Sequence, residues 1–208
     1  MRALILVDIQ NDFVTGSLAV DNAAEVVPIA NELLQRFELV VATQDWHPAD
    51  HKSFASQNEG VVVGQQFELA GLPQTAWPDH CVQNSTGAQF VEQLSDKAQE
   101  NAFRKGTNRE IDSYSGFFDN DHRQATGLGD FLKSKSVSEV FVMGLATDYC
   151  VKFTALDAVK LGFETKLVLD GCRGVELSPG DIEAAVEEMK DAGVTVVHSK
   201  EIEIEKAE

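Results

Sequence analysis

Short apolar runs alternate along the chain with segments in which apolar residues recur at helical spacing. The runs LILV and VFVM are apolar at consecutive positions, which is typical of strands whose two faces are both covered. This alternation predicts a parallel sheet with helices on both faces, an α/β sandwich. The predicted strands are residues 3–9, 39–43, 102–105, 139–143, 165–170 and 194–198, and the predicted helices are residues 23–37, 85–98, 127–135, 147–161 and 178–192.

The chain is expected to form one domain over residues 1–208, because its length allows one sizeable core and no low-complexity linker divides it. The first apolar run is interrupted at Asp8, so it is too short for a signal-peptide core or a membrane span. Three cysteines without CxxC spacing argue against a disulfide framework. We therefore expect a cytoplasmic protein with no membrane partner.

The net charge of the chain limits the classes of partner that it can bind. The chain carries 34 acidic and 17 basic residues, a formal net charge of −17. Such a charge excludes nucleic acid and anionic membranes as partners. The acidic stretch over residues 181–208 is expected to be a solvated helix face and tail rather than a binding feature.

One segment breaks the alternation and is a candidate for function. Residues 45–84 are rich in Gly, Pro, Gln, His and Trp and show little periodicity, and an irregular stretch of this length in a compact domain is usually functional. Parallel sheets bind ligands beyond the carboxyl ends of their strands. Asp8, Asp45, Lys105 and Cys150 all fall at or just after such ends, so the fold is expected to bring them to one rim.

Cys150 is the candidate nucleophile, because it lies where a predicted strand runs into a predicted helix. Thr147 is expected to be the N-cap of that helix, so that the sulfur lies near unpaired amides and the positive end of the helix dipole, which favours the thiolate. A cysteine at such a junction can also serve packing alone. Cys81 is an alternative ligand or nucleophile without a visible helix start, and Cys172, in a Gly-rich turn, is expected to serve packing.

Asp8 and Lys105 are the candidate partners of Cys150. An aspartate that ends a buried strand is costly unless it is paired, and beside a thiol it can act as a general base and then as a general acid. An ammonium at Lys105 would stabilise the anionic forms of both groups. Asp12 competes with Asp8 but is expected in a loop, and Arg104 should point to the face opposite Lys105.

A candidate metal site lies in the irregular segment. Asp45 and His47 are two residues apart, and His80 supplies a third donor from the same segment. One aspartate with two or three histidines suits Zn²⁺, Fe²⁺ or Mn²⁺. His51 is left open, as a further ligand or as a backbone partner, and His122 is expected at the surface.

Three aromatic residues neighbour this chemistry: Phe13, Trp46 and Trp77. Planar rings can enclose a flat ligand, although core packing is the ordinary role of each residue taken alone.

Together these motifs resemble the nicotinamidase/pyrazinamidase family of the isochorismatase-like hydrolases. The resemblance covers nearly the whole chain and rests on the segments VDIQNDF, QDWHP, WPDHCVQ, FRKG, DSYS, FFDN, MGLATDYCVKFTALDA and DGCRG. It implies a three-layer α/β/α sandwich with a six-stranded parallel sheet. It also implies the cytoplasmic hydrolysis of nicotinamide to nicotinate and ammonia in NAD salvage, with pyrazinamide as a further substrate.

The resemblance also implies catalytic roles for particular residues. Asp8, Lys105 and Cys150 match the family's catalytic triad, and the backbone amides of Ala146 and Cys150 match its oxyanion hole. A cis peptide bond is implied between Leu145 and Ala146. The expected mechanism is thiolate attack on the carboxamide, protonation of the departing ammonia by Asp8, and hydrolysis of the thioester by water.

The binding roles implied by the resemblance concern one divalent metal ion and the pyridine ring. Asp45, His47 and His80 match the metal ligands, with the ion meeting the ring nitrogen, and Phe13 and Trp77 match the aromatic residues that flank the ring. Two alternatives are kept: another amide hydrolase of the same superfamily, and a metal-dependent binding protein without turnover. A homo-oligomer is left open.

Overall fold

The computed structural model describes residues 1–203, so the last residues of the acidic tail, 204–208, lie outside the described residues. A six-stranded sheet runs through the molecule in the order β5-β2-β1-β6-β7-β8, and every neighbouring pair in it is parallel. The strands of this sheet are β1 (Arg2–Val7), β2 (Leu39–Asp45), β5 (Ala102–Lys105), β6 (Glu139–Leu145), β7 (Glu164–Arg173) and β8 (Thr195–Val197). The predicted parallel sheet is confirmed.

Helices flank this sheet, as the α/β sandwich requires. They are α1 (Asn11–Val14), α2 (Val26–Leu33), α3 (Leu128–Ser134), α4 (Lys152–Lys160) and α5 (Asp181–Asp191). Nearly every residue of β1, β2 and β6 is buried, which explains why their sequences are apolar at consecutive positions. Among residues 1–203, no helix combines the length and apolar character needed to cross a bilayer.

The helix predicted over residues 85–98 is wrong. Only a short 3-10 turn, Asp96–Gln99, forms near its end. The backbone is instead used in tertiary contacts, because Phe90 forms an antiparallel bridge with Gln10 and the Gly87 carbonyl accepts a hydrogen bond from an amide of α1 at 3.0 Å. These contacts use backbone N–H and C=O groups that a helix would need for its own hydrogen bonds. Tertiary structure therefore overrides the local pattern.

The irregular segment 45–84 contains a short 3-10 turn, Ala55–Gln57, and a β-hairpin that its sequence did not indicate. β3 (Gln66–Leu69) and β4 (Leu72–Thr75) form an antiparallel hairpin apart from the main sheet. The first predicted strand also ends earlier than expected, because Asp8 has a positive φ of 48° and turns the chain out of β1. Cys172, expected in a turn, lies within β7 opposite Gly144.

Candidate active site

The functional side chains meet at the carboxyl edge of the main sheet. Asp8 follows β1, Asp45 and Lys105 end the adjacent strands β2 and β5, and Cys150 follows β6. Because β5, β2, β1 and β6 are consecutive in the sheet, their carboxyl ends form one continuous rim. The rim predicted from the sequence is therefore present in the structure.

Lys105 ends the edge strand β5, and its buried ammonium reaches the other groups of this rim. Its Nζ lies 2.5 Å from Asp45 Oδ1, 2.8 Å from the carbonyl oxygen of Ser113, 3.4 Å from Cys150 Sγ and 2.9 Å from Asp8 Oδ2. The structure also confirms the expected alternation, since neighbouring Arg104 is exposed. The cation thus touches the candidate nucleophile and both carboxylates.

Asp8 keeps one oxygen available for proton transfer. Thr43 donates its hydroxyl proton to Asp8 Oδ1 at 2.6 Å. Oδ2 is close enough to Lys105 to form an ion pair, but no hydrogen bond to it is found among the described residues. Lys105 pairs with Oδ2 by charge alone, because Asp45, Ser113 and the Cys150 sulfur already accept from the three N–H groups of its ammonium. A carboxylate oxygen of Asp8 also lies within 4.8 Å of Cys150 Sγ.

Burial and charge shift the pKa values of these groups in different directions. Burial raises the pKa of Asp8, and Lys105 offsets part of that effect. Burial alone would raise the pKa of Asp45 too, but Lys105 and His47 hold it well below its usual range. Burial would lower the pKa of Lys105, yet Asp45 and Asp8 hold it well above its usual value. The charged forms of Lys105 and Asp45 are therefore favoured, whereas Asp8 accepts a proton more readily than an exposed aspartate does.

The expected environment of Cys150 needs two corrections. Thr147 is not the N-cap: the cap position is Ala146, and the segment Thr147–Val151 forms a π-helical turn before α4 begins. The expected thiolate is also wrong for the resting site, because burial raises the pKa of the Cys150 thiol well above its usual value despite the opposing effect of Lys105. The thiol must therefore lose its proton to a nearby base before it attacks.

The two residues that the resemblance assigns to an oxyanion hole lie at the junction of β6 and the following turn. The peptide bond between Leu145 and Ala146 is cis, as implied by the resemblance, and Ala146 and Cys150 both line one pocket. Backbone amides at the start of a helix are available to external acceptors.

Asp45, His47 and His80 form a donor cluster that fits a metal ion. Asp45 Oδ2 lies 3.4 Å from His47 Nε2 and 3.6 Å from His80 Nε2. His47 Nδ1 donates to the Gly106 carbonyl at 2.9 Å, which leaves Nε2 as the nitrogen with the lone pair. That Nε2 is buried and has no hydrogen-bond partner among the described residues. A divalent cation would satisfy this atom and share Asp45 Oδ2.

Two neighbours hold these histidines in place. His80 Nδ1 donates to the Pro78 carbonyl at 2.8 Å, so its Nε2 also faces the cluster as an acceptor. Gly106 has a positive φ of 66°, and a Cβ there would lie 2.3 Å from His47 Cε1. Any side chain at that position would displace the ring, which explains the glycine after Lys105.

His51, left open by the sequence, uses both ring nitrogens elsewhere. Its Nδ1 accepts the Ser53 backbone N–H at 3.2 Å, and its Nε2 lies 3.3 Å from the Ile111 carbonyl, to which it donates. Burial lowers the pKa of His51 to about 4, so the ring is neutral. In this structure His51 therefore acts as a backbone partner, and one of its ring nitrogens lies within 4.8 Å of ligand atoms of His47 and Asp112. His122 is exposed, as expected.

Aromatic side chains form part of the wall of the pocket beside Cys150. Phe13 and Trp77, both expected there, line it, and Phe13 makes an edge contact with His80 at 5.5 Å between ring centroids. Trp46 is not among the lining residues, and its ring packs instead under Arg104 at 3.9 Å. The aromatic side chains that line the pocket suit a planar ring.

Several pocket residues were not found by sequence reasoning. Asp112, Tyr114 and Tyr149 line the pocket although no role was assigned to them. Their motifs DSYS and TDYC were visible, and the second adjoins the nucleophile, but neither motif indicates which way a side chain points. Asp12, expected in a loop, lies in α1 and accepts the Cys81 amide at 2.7 Å, which gives it a structural role.

The chain belongs to the isochorismatase domain family, whose model matches residues 2–201. It is similar to the nicotinamidase of Escherichia coli, with 54% identity over 94% of this chain and 93% of that protein. The solved nicotinamidase/pyrazinamidase of Acinetobacter baumannii matches with a TM-score of 0.93 and 43% identity over 96% of this chain and 97% of the other. A pyrazinamidase of Pyrococcus horikoshii in complex with zinc matches with a TM-score of 0.78 and 38% identity, over 95% and 98% of the chains.

Proposed function

We propose that this chain is a nicotinamidase, which hydrolyses the carboxamide of nicotinamide to nicotinate and ammonia. The observation that carries the proposal is the buried group of Asp8, Lys105 and Cys150 beside an aromatic pocket, in a chain 54% identical to the nicotinamidase of Escherichia coli. Related activity on pyrazinamide follows, because pyrazinamide has the same flat ring and the same carboxamide.

The first half of the reaction forms a thioester. Asp8 Oδ2 takes the thiol proton of Cys150, and the sulfur attacks the carboxamide carbon. The negative oxygen of the tetrahedral intermediate accepts hydrogen bonds from the amides of Ala146 and Cys150, an interaction whose loss costs about 10²- to 10³-fold in rate in other enzymes. When the C–N bond breaks, Asp8 returns the proton to the leaving nitrogen, and ammonia departs.

The second half regenerates the thiol. Asp8, again a carboxylate, takes a proton from water as that water attacks the thioester carbonyl. Collapse of the second tetrahedral intermediate breaks the C–S bond, and the sulfur recovers the proton from Asp8. Lys105 stays charged throughout, because Asp45 and Asp8 hold its pKa well above its usual value, and it stabilises the sulfur anion at each step.

We propose that Asp45, His47 and His80 hold one divalent metal ion next to the substrate pocket. Their donor set of one carboxylate and two imidazoles suits zinc, iron or manganese, and a zinc complex of a 38% identical pyrazinamidase supports the assignment. When bound, the ion would supply a Lewis-acid contact for the pyridine nitrogen. Phe13 and Trp77 would then contact the two sides of the ring.

The test of the function is ammonia release from purified protein with nicotinamide, pyrazinamide and benzamide. We expect turnover of the first two amides and little of benzamide, which lacks the ring nitrogen. Turnover of unrelated amides alone would support another amide hydrolase of the superfamily. Saturable nicotinamide binding without ammonia release would support a binding protein. Either result would overturn the proposal.

In the cell, the proposed enzyme acts in the cytoplasm and supplies nicotinate for NAD synthesis. Growth of a nicotinamidase-deficient bacterium on nicotinamide as its only pyridine source, when it expresses this chain, is the test. Failure to restore growth by a chain that releases ammonia in vitro would contradict this role.

Metal binding can be tested at His47. We expect His47→Ala to lose the ion and to reduce kcat/KM by at least roughly 100-fold, because removing a direct ligand should cost no less than removing a neighbour of one. Elemental analysis of the purified variant measures the ion independently of activity. His122→Ala is the matched control, since this exposed histidine lies outside the donor cluster. Equal metal content in the wild type and His47→Ala would contradict the assignment.

A further inference from the structure

The β3–β4 hairpin carries a buried side-chain amide that contacts the wall of the substrate pocket. Gln74, in β4, is 3% exposed and pairs in register with Phe67 of β3. It is not among the residues that line the pocket, and the reaction described above does not use it. A buried amide is costly unless its hydrogen bonds are made, so its partners indicate what it does.

Two of those partners belong to the pocket wall. The amide nitrogen of Gln74 lies 2.9 Å from Asp112 Oδ2 and 2.9 Å from the Tyr114 hydroxyl. A third acceptor, the Thr75 carbonyl, also lies at 2.9 Å. The two N–H groups of one side chain therefore connect the hairpin to two residues that a bound ring would face.

Tyr114 transmits this contact to Trp77. The Trp77 indole nitrogen donates to the same Tyr114 hydroxyl at 3.2 Å, so that oxygen accepts from Gln74 and Trp77 together. Tyr149 packs edge-on against both rings, with centroid distances of 4.8 Å to Trp77 and 5.4 Å to Tyr114. The orientation of the indole thus depends on a hydroxyl whose own direction is fixed by Gln74.

We propose that Gln74 is a positioning residue for substrate binding, which holds Trp77 against the substrate ring through Tyr114. The inference rests on the proposed function, because Trp77 is taken there as a wall of the ring site. Loss of the amide would leave Asp112 Oδ2 without this donor in a buried place, and the Tyr114 hydroxyl would keep only the hydrogen bond from the Trp77 indole. The Tyr114 hydroxyl would no longer be held in one direction, and the Trp77 indole would lose its fixed orientation.

A fluorescence titration measures this effect directly. The chain has two tryptophans, and Trp46 packs against Arg104 outside the pocket. In a Trp46→Phe background, all tryptophan fluorescence comes from Trp77. Adding Cys150→Ala prevents turnover, so that the change in emission on adding nicotinamide gives a Kd.

We expect Gln74→Met, which keeps the length of the side chain but removes the amide, to raise this Kd about tenfold, equivalent to 1.4 kcal/mol. In the catalytically active chain, the same change should raise KM by a similar factor and change kcat less than about threefold, because the ring is contacted equally before and during reaction. Gln65→Met is the matched control: this exposed glutamine directly precedes β3, its side-chain oxygen accepts the Val62 backbone N–H, and it does not line the pocket. Its Kd should equal that of the parent.

Tyr114→Phe tests the route of the effect and replaces Gln74→Met if that variant does not fold. It removes the hydroxyl that joins Gln74 to Trp77, so it should raise Kd by itself, and Gln74→Met should add less than about twofold to it. Independent, multiplicative effects of the two changes would overturn the proposed route. If the wild type turns over normally but folded Gln74→Met has an unchanged Kd, the inference is overturned and the proposed function is not. If Gln74→Met does not fold, an unchanged Kd in Tyr114→Phe has the same meaning. Wild-type protein that releases no ammonia would overturn the proposed function and this inference with it.

Discussion

Cys150→Ala is expected to lose at least about 10⁴-fold in the rate of ammonia release while the protein stays folded. The methyl group cannot attack the carboxamide, and the change removes one sulfur atom from a turn whose backbone is held by its own hydrogen bonds. Thermal unfolding checks the fold, and a discontinuous ammonia assay checks the rate. The same variant should still bind nicotinamide, because the donor cluster and the aromatic walls remain intact.

The other two cysteines provide matched controls. Cys81 and Cys172 are both buried, and burial raises the pKa of Cys172 to about 12. Neither adjoins Lys105 in the way that Cys150 does at 3.4 Å, so Cys81→Ala and Cys172→Ala should keep substantial turnover. Acid quenching during turnover should also leave a nicotinoyl adduct on Cys150, seen by peptide mass spectrometry. More than a small residual rate in Cys150→Ala would rule out the covalent route.

The rim of candidate catalytic groups could be predicted because its position depends on topology alone. Once alternating strands and helices indicate a parallel sheet, the carboxyl ends of its strands must share an edge, and Asp8, Asp45 and Lys105 end or directly follow strands. The alternation of a strand also separates buried Lys105 from exposed Arg104. These inferences need only the order of elements and the two-residue period of a strand.

The state of the Cys150 thiol could not be predicted in this way. The expected thiolate relied on a local feature, a helix start capped by Thr147, whereas the pKa is set mainly by burial. Burial depends on residues distant in sequence, such as Phe13 and Trp77, which close the same pocket. A local motif indicates where the sulfur lies but not how much water reaches it.

The role of Gln74 was equally inaccessible, for a related reason. Its amide joins a hairpin to Asp112 and Tyr114, residues 38 and 40 positions away along the chain. The hairpin itself has weak alternation and lies in a segment without periodicity. The helix wrongly predicted over residues 85–98 shows the opposite error, since a plausible local pattern is overruled by backbone contacts with Gln10 and α1.

The second large effect is expected at Lys105, where stability and catalysis can be separated. Lys105→Met keeps the length of the side chain but leaves the carboxylates of Asp8 and Asp45 buried without their shared cation. Breaking a buried ion pair typically costs about 3–5 kcal/mol, so Tm should fall by roughly 10 °C. The rate should fall by at least about 10³-fold, because the sulfur anion also loses its neighbouring charge.

Asp8→Asn alone should reduce the rate as strongly, because the amide cannot accept the thiol proton. The double variant Asp8→Asn/Lys105→Met removes one negative and one positive charge together, so it should regain much of the Tm lost in Lys105→Met while staying inactive. Lys52→Met, which breaks an exposed pair with Glu110, is the control and should leave both Tm and rate unchanged.

Adding Cys150→Ala to any inactive variant should change the rate little, because the three groups act as a unit. A double variant as unstable as Lys105→Met would show that Lys105 contributes by packing rather than by charge, and multiplicative losses of rate would show that Asp8, Lys105 and Cys150 act separately.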